Sequence, residues 1–555
     1  MNIKRTNFHL DKGNGARWMR QIAIISLCTM VTGCIFSGEE ETVGEVGSVG
    51  HVTGFFGGVA ADEPNAALIG RDILSAGGTA ADAAVATYFA LAVTLPSSAS
   101  LGSGGVCLVH STAEQTTETL DFLSPNVNST GKSQVISIPG GPRGLIALYS
   151  KMGSLKWAEL IARSENLARF GTRVSRAFSE DLKMGRNLVL ADPEMRRTFA
   201  KPDGTLLKEG ESFEQLKLAA LLSRIRVRGP GELYNGPFAK QFVADVNSIG
   251  GDLDYTEVRN FLPQWRSAIS IPYSLSFQYQ FPDIPGPSGK VAAQMTAMLI
   301  DDERFREAEE DEKVHLLAET GARAFADMYN WYDWNKGSQM TADQLVSEQR
   351  VRQLLEMYKS NQNVPPSKQG GTGRPNDPTG TSFVTFDRRG NAVACAITMN
   401  GLFGAGRMTR GTGVVLGRTA EPGNSGYGAQ SVMLMSNRLD NTLYYASAAS
   451  GGWPAITAMV ETASYATMRT KDTLVKAISR PRVHPGGGRG VTYLEKITGK
   501  EDAEKALIER HHKIEQVAPM GLVNALFCPT GIREEDVSCS ITTDPRGFGL
   551  AMDSD

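Results

Sequence analysis

Thr379-Gly-Thr-Ser-Phe-Val-Thr-Phe-Asp-Arg-Arg-Gly-Asn-Ala-Val-Ala-Cys-Ala-Ile-Thr-Met-Asn400 decides how this chain is read. Two apolar, β-rich runs, 383–387 and 392–399, flank an Arg-Arg-Gly-Asn turn, the pattern of a hairpin. Directly before it stands Pro365-Pro-Ser-Lys-Gln-Gly-Gly-Thr-Gly-Arg-Pro-Asn-Asp-Pro378. Such a run suits neither helix nor ladder, so an exposed, cleavable loop is expected there.

A cleavable loop feeding a strand that opens on Thr or Ser is the layout of a self-processing N-terminal nucleophile. A Thr hydroxyl is almost never ionised near neutral pH. An α-amino group titrates near ~7.7–8.0, so once freed by cleavage it can take the proton of its own residue's hydroxyl. The same letters also suit an ordinary strand, because Thr favours strands and Gly-Thr pairs are common.

Working outward, residues 63–75 and 80–93 read as Ala-rich helices broken at Gly77-Gly78. Helices are also expected over 155–170, 213–227, 310–328, 341–359 and 455–469. Strands are expected over 105–110, 273–280, 431–435 and 444–447. Strands drawn from the front, the middle and the region after 380 imply one interwoven domain.

The 555 residues carry a net charge of −3, which gives no case for nucleic acid, and 59 Gly, which suits a turn-rich fold. Residues 1–33 read as an export signal: Lys4, Arg5, Arg17 and Arg20, then an apolar run at 22–31 too short to span a membrane comfortably. Val31-Thr-Gly-Cys34 resembles the bacterial lipoprotein box, which makes Cys34 the expected lipid-bearing first residue. Residues 34–50 read as a solvated tether. An exported, lipid-anchored protein on the periplasmic or cell-surface face of a bacterial membrane is expected. Export permits disulfides. Cys528 and Cys539 flank a short Pro/Gly loop and are the expected pair, while Cys107 and Cys395 lie in apolar runs and read as buried thiols. No Cys/His spacing suggests a metal, and no cofactor is expected.

The ordered motifs then resemble one family. Gly58-Val-Ala-Ala, Leu74-Ser-Ala-Gly-Gly-Thr-Ala-Ala-Asp-Ala-Ala-Val-Ala86, Pro96-Ser-Ser and Gly102-Ser-Gly-Gly105 open the series. Ile138-Pro-Gly, Lys156-Trp-Ala-Glu-Leu-Ile161, Tyr234-Asn-Gly-Pro-Phe-Ala and Gly250-Gly-Asp-Leu follow. Asp387-Arg-Arg-Gly-Asn, Thr398-Met-Asn400, Phe403-Gly-Ala-Gly406, Gly411-Thr-Gly413, Ser450-Gly-Gly452 and Asp544-Pro-Arg546 complete it. The set resembles the γ-glutamyltransferase (glutathione hydrolase) family from about Gly57 to near the C-terminus. The resemblance implies an α+β, four-layer αββα sandwich of the N-terminal nucleophile hydrolase type, made from a large segment (51–380) and a small one (381–555) of one precursor. It implies cleavage of γ-glutamyl amide bonds, by hydrolysis or transfer, through an acyl-enzyme. Gly451 and Gly452 match the family's oxyanion hole, Thr398 a hydroxyl supporting the nucleophile, and Asn400 and Ser431 substrate contacts, with Gln430 in place of a second Ser.

Two departures bear on function. Ungapped alignment through Asp387, Thr398 and Asn400 puts Gly380, which has no hydroxyl, at the family's nucleophile. Thr381 is the preferred candidate and Thr379 the other. The Arg that clamps the substrate α-carboxylate is replaced after Asp121-Phe122 by Leu123, with Arg143 and Arg407 as possible substitutes. The acid that holds the substrate amine has no clean counterpart either, Pro422 falling there beside Glu421. An inactive family member serving as a surface binding module is the alternative.

Overall fold

The hairpin lies at the middle of a seven-stranded sheet. A computed structural model describes residues 57–124, 136–366, 379–420, 430–468, 470, 472–486, 490–499, 501–532 and 538–553. Its main strands are β1 (Gly57–Ala61), β2 (Gly104–Ser111), β3 (Thr116–Asp121), β4 (Gln264–Ser267), β5 (Ile269–Pro272), β6 (Phe277–Phe281), β7 (Thr381–Asp387), β8 (Ala392–Thr398), β9 (Ser431–Asn437), β10 (Leu443–Ser450), β11 (Leu522–Phe527), β12 (Ser540–Thr543) and β13 (Leu550–Asp553). The first sheet runs β13-β1-β7-β8-β2-β3-β4 and the second β12-β11-β10-β9-β6-β5, with antiparallel neighbours throughout. Strands from both sides of residue 380 therefore interleave in each sheet.

Alternation along β7 shows the layering. Phe383 packs with Cys395, Val393 and Val59 into a core shared with helices α1 (Pro64–Ser75) and α2 (Ala80–Thr94). Val384 and Phe386 point the other way, into a core between the sheets with Val432, Leu434, Ala446 and Leu526. Met433, Tyr445 and Val523 of the second sheet face a third core. That core holds α4 (Ser288–Ile300), α5 (Glu310–Trp331) and α6 (Trp453–Thr467). A shorter helix, α3 (Arg176–Met184), borders the cleft described below. Helix, sheet, sheet, helix is the αββα order. With both faces covered, β7 and β8 read as near-continuous apolar runs.

Local chemistry fixes the hairpin. Asp387 accepts from the backbone N–H groups of Arg389 and Asn391 at 2.9 and 3.2 Å. It also accepts from Ala80 N–H at 3.0 Å, which ties the turn to the start of α2. Thr79 and Asp82 form a capping box there. Every residue of α2 is buried, as its apolar circumference requires.

Three expectations need correction. The helix expected over 341–359 is two, Ala342–Leu345 and Glu348–Leu355, because Ser347 caps a new start. The strand expected over 273–280 begins at Phe277, and its first residues turn back from β5. Cys107 and Cys395 are joined as a disulfide, since β2 and β8 are neighbours with these two residues opposite, Cα atoms 4.1 Å apart. A second disulfide joins Cys528 and Cys539. Cys34, the tether, the loop at 367–378, and Glu421 and Pro422 lie outside the described residues.

Candidate active site

Thr381 opens β7 immediately after Gly380, whose φ of +81° an L side chain rarely adopts. A Cβ at 380 would also meet the Ile397 carbonyl oxygen at 2.8 Å. Position 380 thus excludes a side chain in the continuous chain, and the first hydroxyl of the strand is that of Thr381. β1 runs antiparallel to β7 with Ala61 opposite Phe383, which brings the residue after β1, Asp62, beside the start of β7. Asp62 Oδ2 accepts from Thr381 Oγ1 at 2.9 Å, Ser382 N–H at 2.9 Å and Ser450 Oγ at 3.1 Å. Its Oδ1 accepts from Asn524 Nδ2 at 2.7 Å, and that amide also donates to the Ser382 carbonyl. One carboxylate thus joins residues of β7, β10 and β11, from both sheets. Burial pushes its pKa up, and these hydrogen bonds oppose the shift without cancelling it.

Gly451 and Gly452 follow β10 with φ of +109° and +71°, and α6 begins at the next residue. Their amides therefore stand at the positive end of a helix. Gly451 N–H donates to the Thr379 carbonyl at 3.2 Å. A small cavity brings together Thr379, Thr381, Thr398, Gln430, Gly451 and Gly452. The Thr398 hydroxyl accepts from Asn400 N–H at 2.9 Å, which holds the turn after β8. Asn400 donates its side-chain amide to the Arg418 carbonyl at 2.7 Å. Neither Asn400 nor Ser431 lines this cavity or the larger one.

The larger cleft, about 360 Å³, opens beside Thr381 and is walled by Leu95, Met184, Met520 and Phe548. Asp62, Glu180 and Asp181 also line it. Burial raises Asp181 to about 7, against the Ser97 hydroxyl that donates to it at 2.5 Å and with the Asp62 charge adding. Arg546 is the one basic residue among the described lining, and its guanidinium is held in bidentate fashion by Glu495 at 2.6 Å, and by Asp544 at 2.9 Å. Leu123 is buried in the core between the sheets. Arg143 lies over the Tyr234 ring at 4.1 Å and donates to the carbonyls of Arg259 and Phe261. Arg407 donates to the Gly406 carbonyl at 3.2 Å, and neither arginine lines the cleft.

A second polar cluster was not foreseen, because its members are far apart in sequence. His315 Nδ1 and His512 Nε2 lie 2.7 Å apart, with Glu319 one helical turn along α5 from His315. The Lys359 carbonyl can only accept, so His315 Nε2 carries a proton and Nδ1 accepts from His512. His512 Nδ1 is left to accept from Thr492 Oγ1 at 3.0 Å, and Glu319 pairs with Arg323 at 2.5 Å. Both imidazoles and one carboxylate oxygen of Glu319 are thus engaged within the chain.

Asp62 and Asn524 were missed by sequence reasoning. Asp62 lies between a four-residue motif and the helix cap Glu63, and only the pairing of β1 with β7, over 300 residues apart, gives it a role. An acid directly after an edge of the opening motif was the available signal.

A family model described as Gamma-glutamyltranspeptidase matches residues 66–553. The glutathione hydrolase proenzyme of Escherichia coli is 29% identical over 395 residues, 66% of this chain and 67% of that protein. The glutathione hydrolase proenzyme of Bacillus subtilis is 30% identical over 406 residues, 65% and 67% of the two chains. The match to glutathione hydrolase 3 of Arabidopsis thaliana is 28% identical and spans 59% of that relative's length. Among solved structures, a cephalosporin acylase from Bacillus halodurans superposes with a TM-score of 0.76 at 22% identity, over 93% of this chain and 99% of that one. That likeness shows the fold, the N-terminal nucleophile hydrolase sandwich.

Proposed function

The chain belongs to the gamma-glutamyltranspeptidase family, and from that premise we propose that it is an exported enzyme cleaving γ-glutamyl-type amide bonds through an acyl-enzyme on Thr381. The observation that carries this reading is the Thr381 hydroxyl, first in its strand, bordering an open cleft and hydrogen-bonded to Asp62. Cleavage before Thr381 converts its backbone nitrogen into an amine that can take the hydroxyl proton. The hydroxyl oxygen then attacks the substrate carbonyl, and the amine passes the proton to the leaving group. In the continuous chain the Gly451 N–H is occupied by the Thr379 carbonyl. Thr379 lies on the departing side of the cut, so the same donor is released for the oxyanion of a substrate.

Export is supported by the two disulfides, which need an oxidising compartment. Among the described residues no helix is long and apolar enough to cross a membrane, and attachment through a lipid on Cys34 remains part of the proposal. Hydrolysis and transfer share the acyl-enzyme and differ only in whether water or an amine takes the acyl group.

The test is a denaturing gel of the purified protein with and without reductant. Cys107 and Cys395 lie on opposite sides of the proposed cut, so two fragments should part only after reduction. The smaller should begin Thr-Ser-Phe-Val. A start at Gly380 moves the register, and a chain that stays whole under reduction supports the non-catalytic binding module instead.

A further inference from the structure

In the continuous chain the Thr381 nitrogen is an amide. It has no lone pair to offer, so the base that serves turnover does not yet exist when the chain must first cut itself. Some other group has to take the hydroxyl proton at that stage. We propose that Asp62 is the base for self-cleavage, a role that ends when the free amine of Thr381 appears. The proposal rests on the assignment of Thr381 as nucleophile.

The geometry is specific. Asp62 Oδ2 accepts directly from Thr381 Oγ1 at 2.9 Å. The other acids lining the cleft are engaged elsewhere: Asp181 with Ser97 at 2.5 Å and Glu180 with Lys183 at 2.6 Å. Donors on Ser382, Ser450 and Asn524 fix the Asp62 carboxylate from three strands, so it needs no rearrangement before it acts. No cation pairs with it among the described residues. Burial raises its pKa above the ordinary carboxylate value, which makes it a stronger base than an exposed carboxylate, and the cleft gives water a route to it.

Asp62 takes the Oγ1 proton as Oγ1 bonds to the carbonyl carbon of Gly380. The resulting five-membered intermediate collapses with cleavage of the Gly380–Thr381 C–N bond, and Asp62 returns the proton to the departing nitrogen. The product is an ester of Gly380 on Thr381 Oγ1 beside a free amine. Water then adds to the ester carbonyl, releasing the Gly380 carboxylate and restoring the Thr381 hydroxyl.

The experiment follows the cutting of freshly refolded full-length chain by reducing gel, for wild type, Asp62→Asn, Asp62→Glu and Thr381→Ala, with and without hydroxylamine. Hydroxylamine cleaves esters and leaves amides. It should speed release in the wild type and leave a hydroxamate on Gly380. Asp62→Asn should cut at least about 100-fold slower, within the range for loss of a general base, and hydroxylamine should not restore it, because no ester forms. Asp62→Glu keeps a carboxylate one methylene displaced and should cut at an intermediate rate, which decides the matter if the Asn variant does not fold. Wild-type cutting in either folded Asp62 variant, or rescue of Asp62→Asn by hydroxylamine, overturns the proposal. If Thr381→Ala still cuts before residue 381, the nucleophile assignment fails instead. If Thr381→Ala is blocked while Asp62→Asn cuts normally, only the role of Asp62 falls.

Discussion

The clusters around Asp62 and around His315 are both made of polar groups tied together across hundreds of residues, yet they end in opposite situations. Asp62, Thr381 and Ser450 border a cleft of about 360 Å³. His512 and Glu319 border a cavity of about 30 Å³, room for little more than a water. Around His315 each lone pair and each proton is matched within the chain, and Arg323 neutralises Glu319. Around Asp62 four donors meet one carboxylate with no balancing cation among the described residues, and the Thr381 hydroxyl, one of those donors, belongs to a residue of the cleft wall. A polar cluster closed on itself stabilises, and one left unbalanced beside a cleft retains the capacity to react.

Substitutions can break that contrast. The largest effect is expected from Thr381→Ala, which should leave the chain whole on a reducing gel and without turnover on any γ-glutamyl anilide. Residual turnover would end the assignment. Next is Arg323→Ala in the closed cluster. It strands the buried Glu319 and should cost ~3–5 kcal/mol of stability in urea unfolding, while folded protein cuts itself at the wild-type rate. A slowed cut there would show that the two clusters are coupled.

Substrate selectivity should follow. A lost charge-assisted contact is worth ~1.5–3 kcal/mol, and no uncommitted arginine is found among the described cleft residues. A γ-glutamyl anilide and a glutaryl anilide should therefore differ by less than about tenfold in kcat/KM, and glutathione should be poor. A ratio above about 100 would reveal a clamp elsewhere.

The smallest effect is in the pH dependence of stability. Asp181 is raised by burial to about 7, so the native state binds its proton more tightly than the unfolded chain does. That contribution is complete below the unfolded value of ~3.9 and is lost as pH rises through about 7. Asp181→Asn should lose less stability between pH 5 and pH 8 than wild type, by about 1 kcal/mol or more. The histidine cluster slopes the other way. Burial holds His315 near 4 and His512 near 3, so its share is lost as pH falls below ~6.5. Urea midpoints across pH measure both limbs.

Local chemistry made much of this legible in the sequence. Residues 381–398 announce their hairpin through a Gly-Asn turn between apolar runs, and α2 announces itself by its Thr79 cap and its alanines. The two glycines after β10 stand where their backbone demands glycine. What stayed hidden depends on which strands become neighbours. Cys107 and Cys395 look like core thiols until β2 and β8 pair in register. Leu-Val-Asn-Ala-Leu-Phe at 522–527 was not placed as a strand, and with it went Asn524 and its bond to Asp62. Asp62 itself is an ordinary acid until β1 lies beside β7.

The bond between Cys107 and Cys395 has one more consequence. Without it, a chain cut before Thr381 would be two pieces held by mass action, and the working molecule would decay as its concentration fell. With it, any piece that peels away stays tethered at an effective concentration of the order of millimolar for a short flexible link, and returns by a unimolecular step. Specific activity should then be independent of dilution.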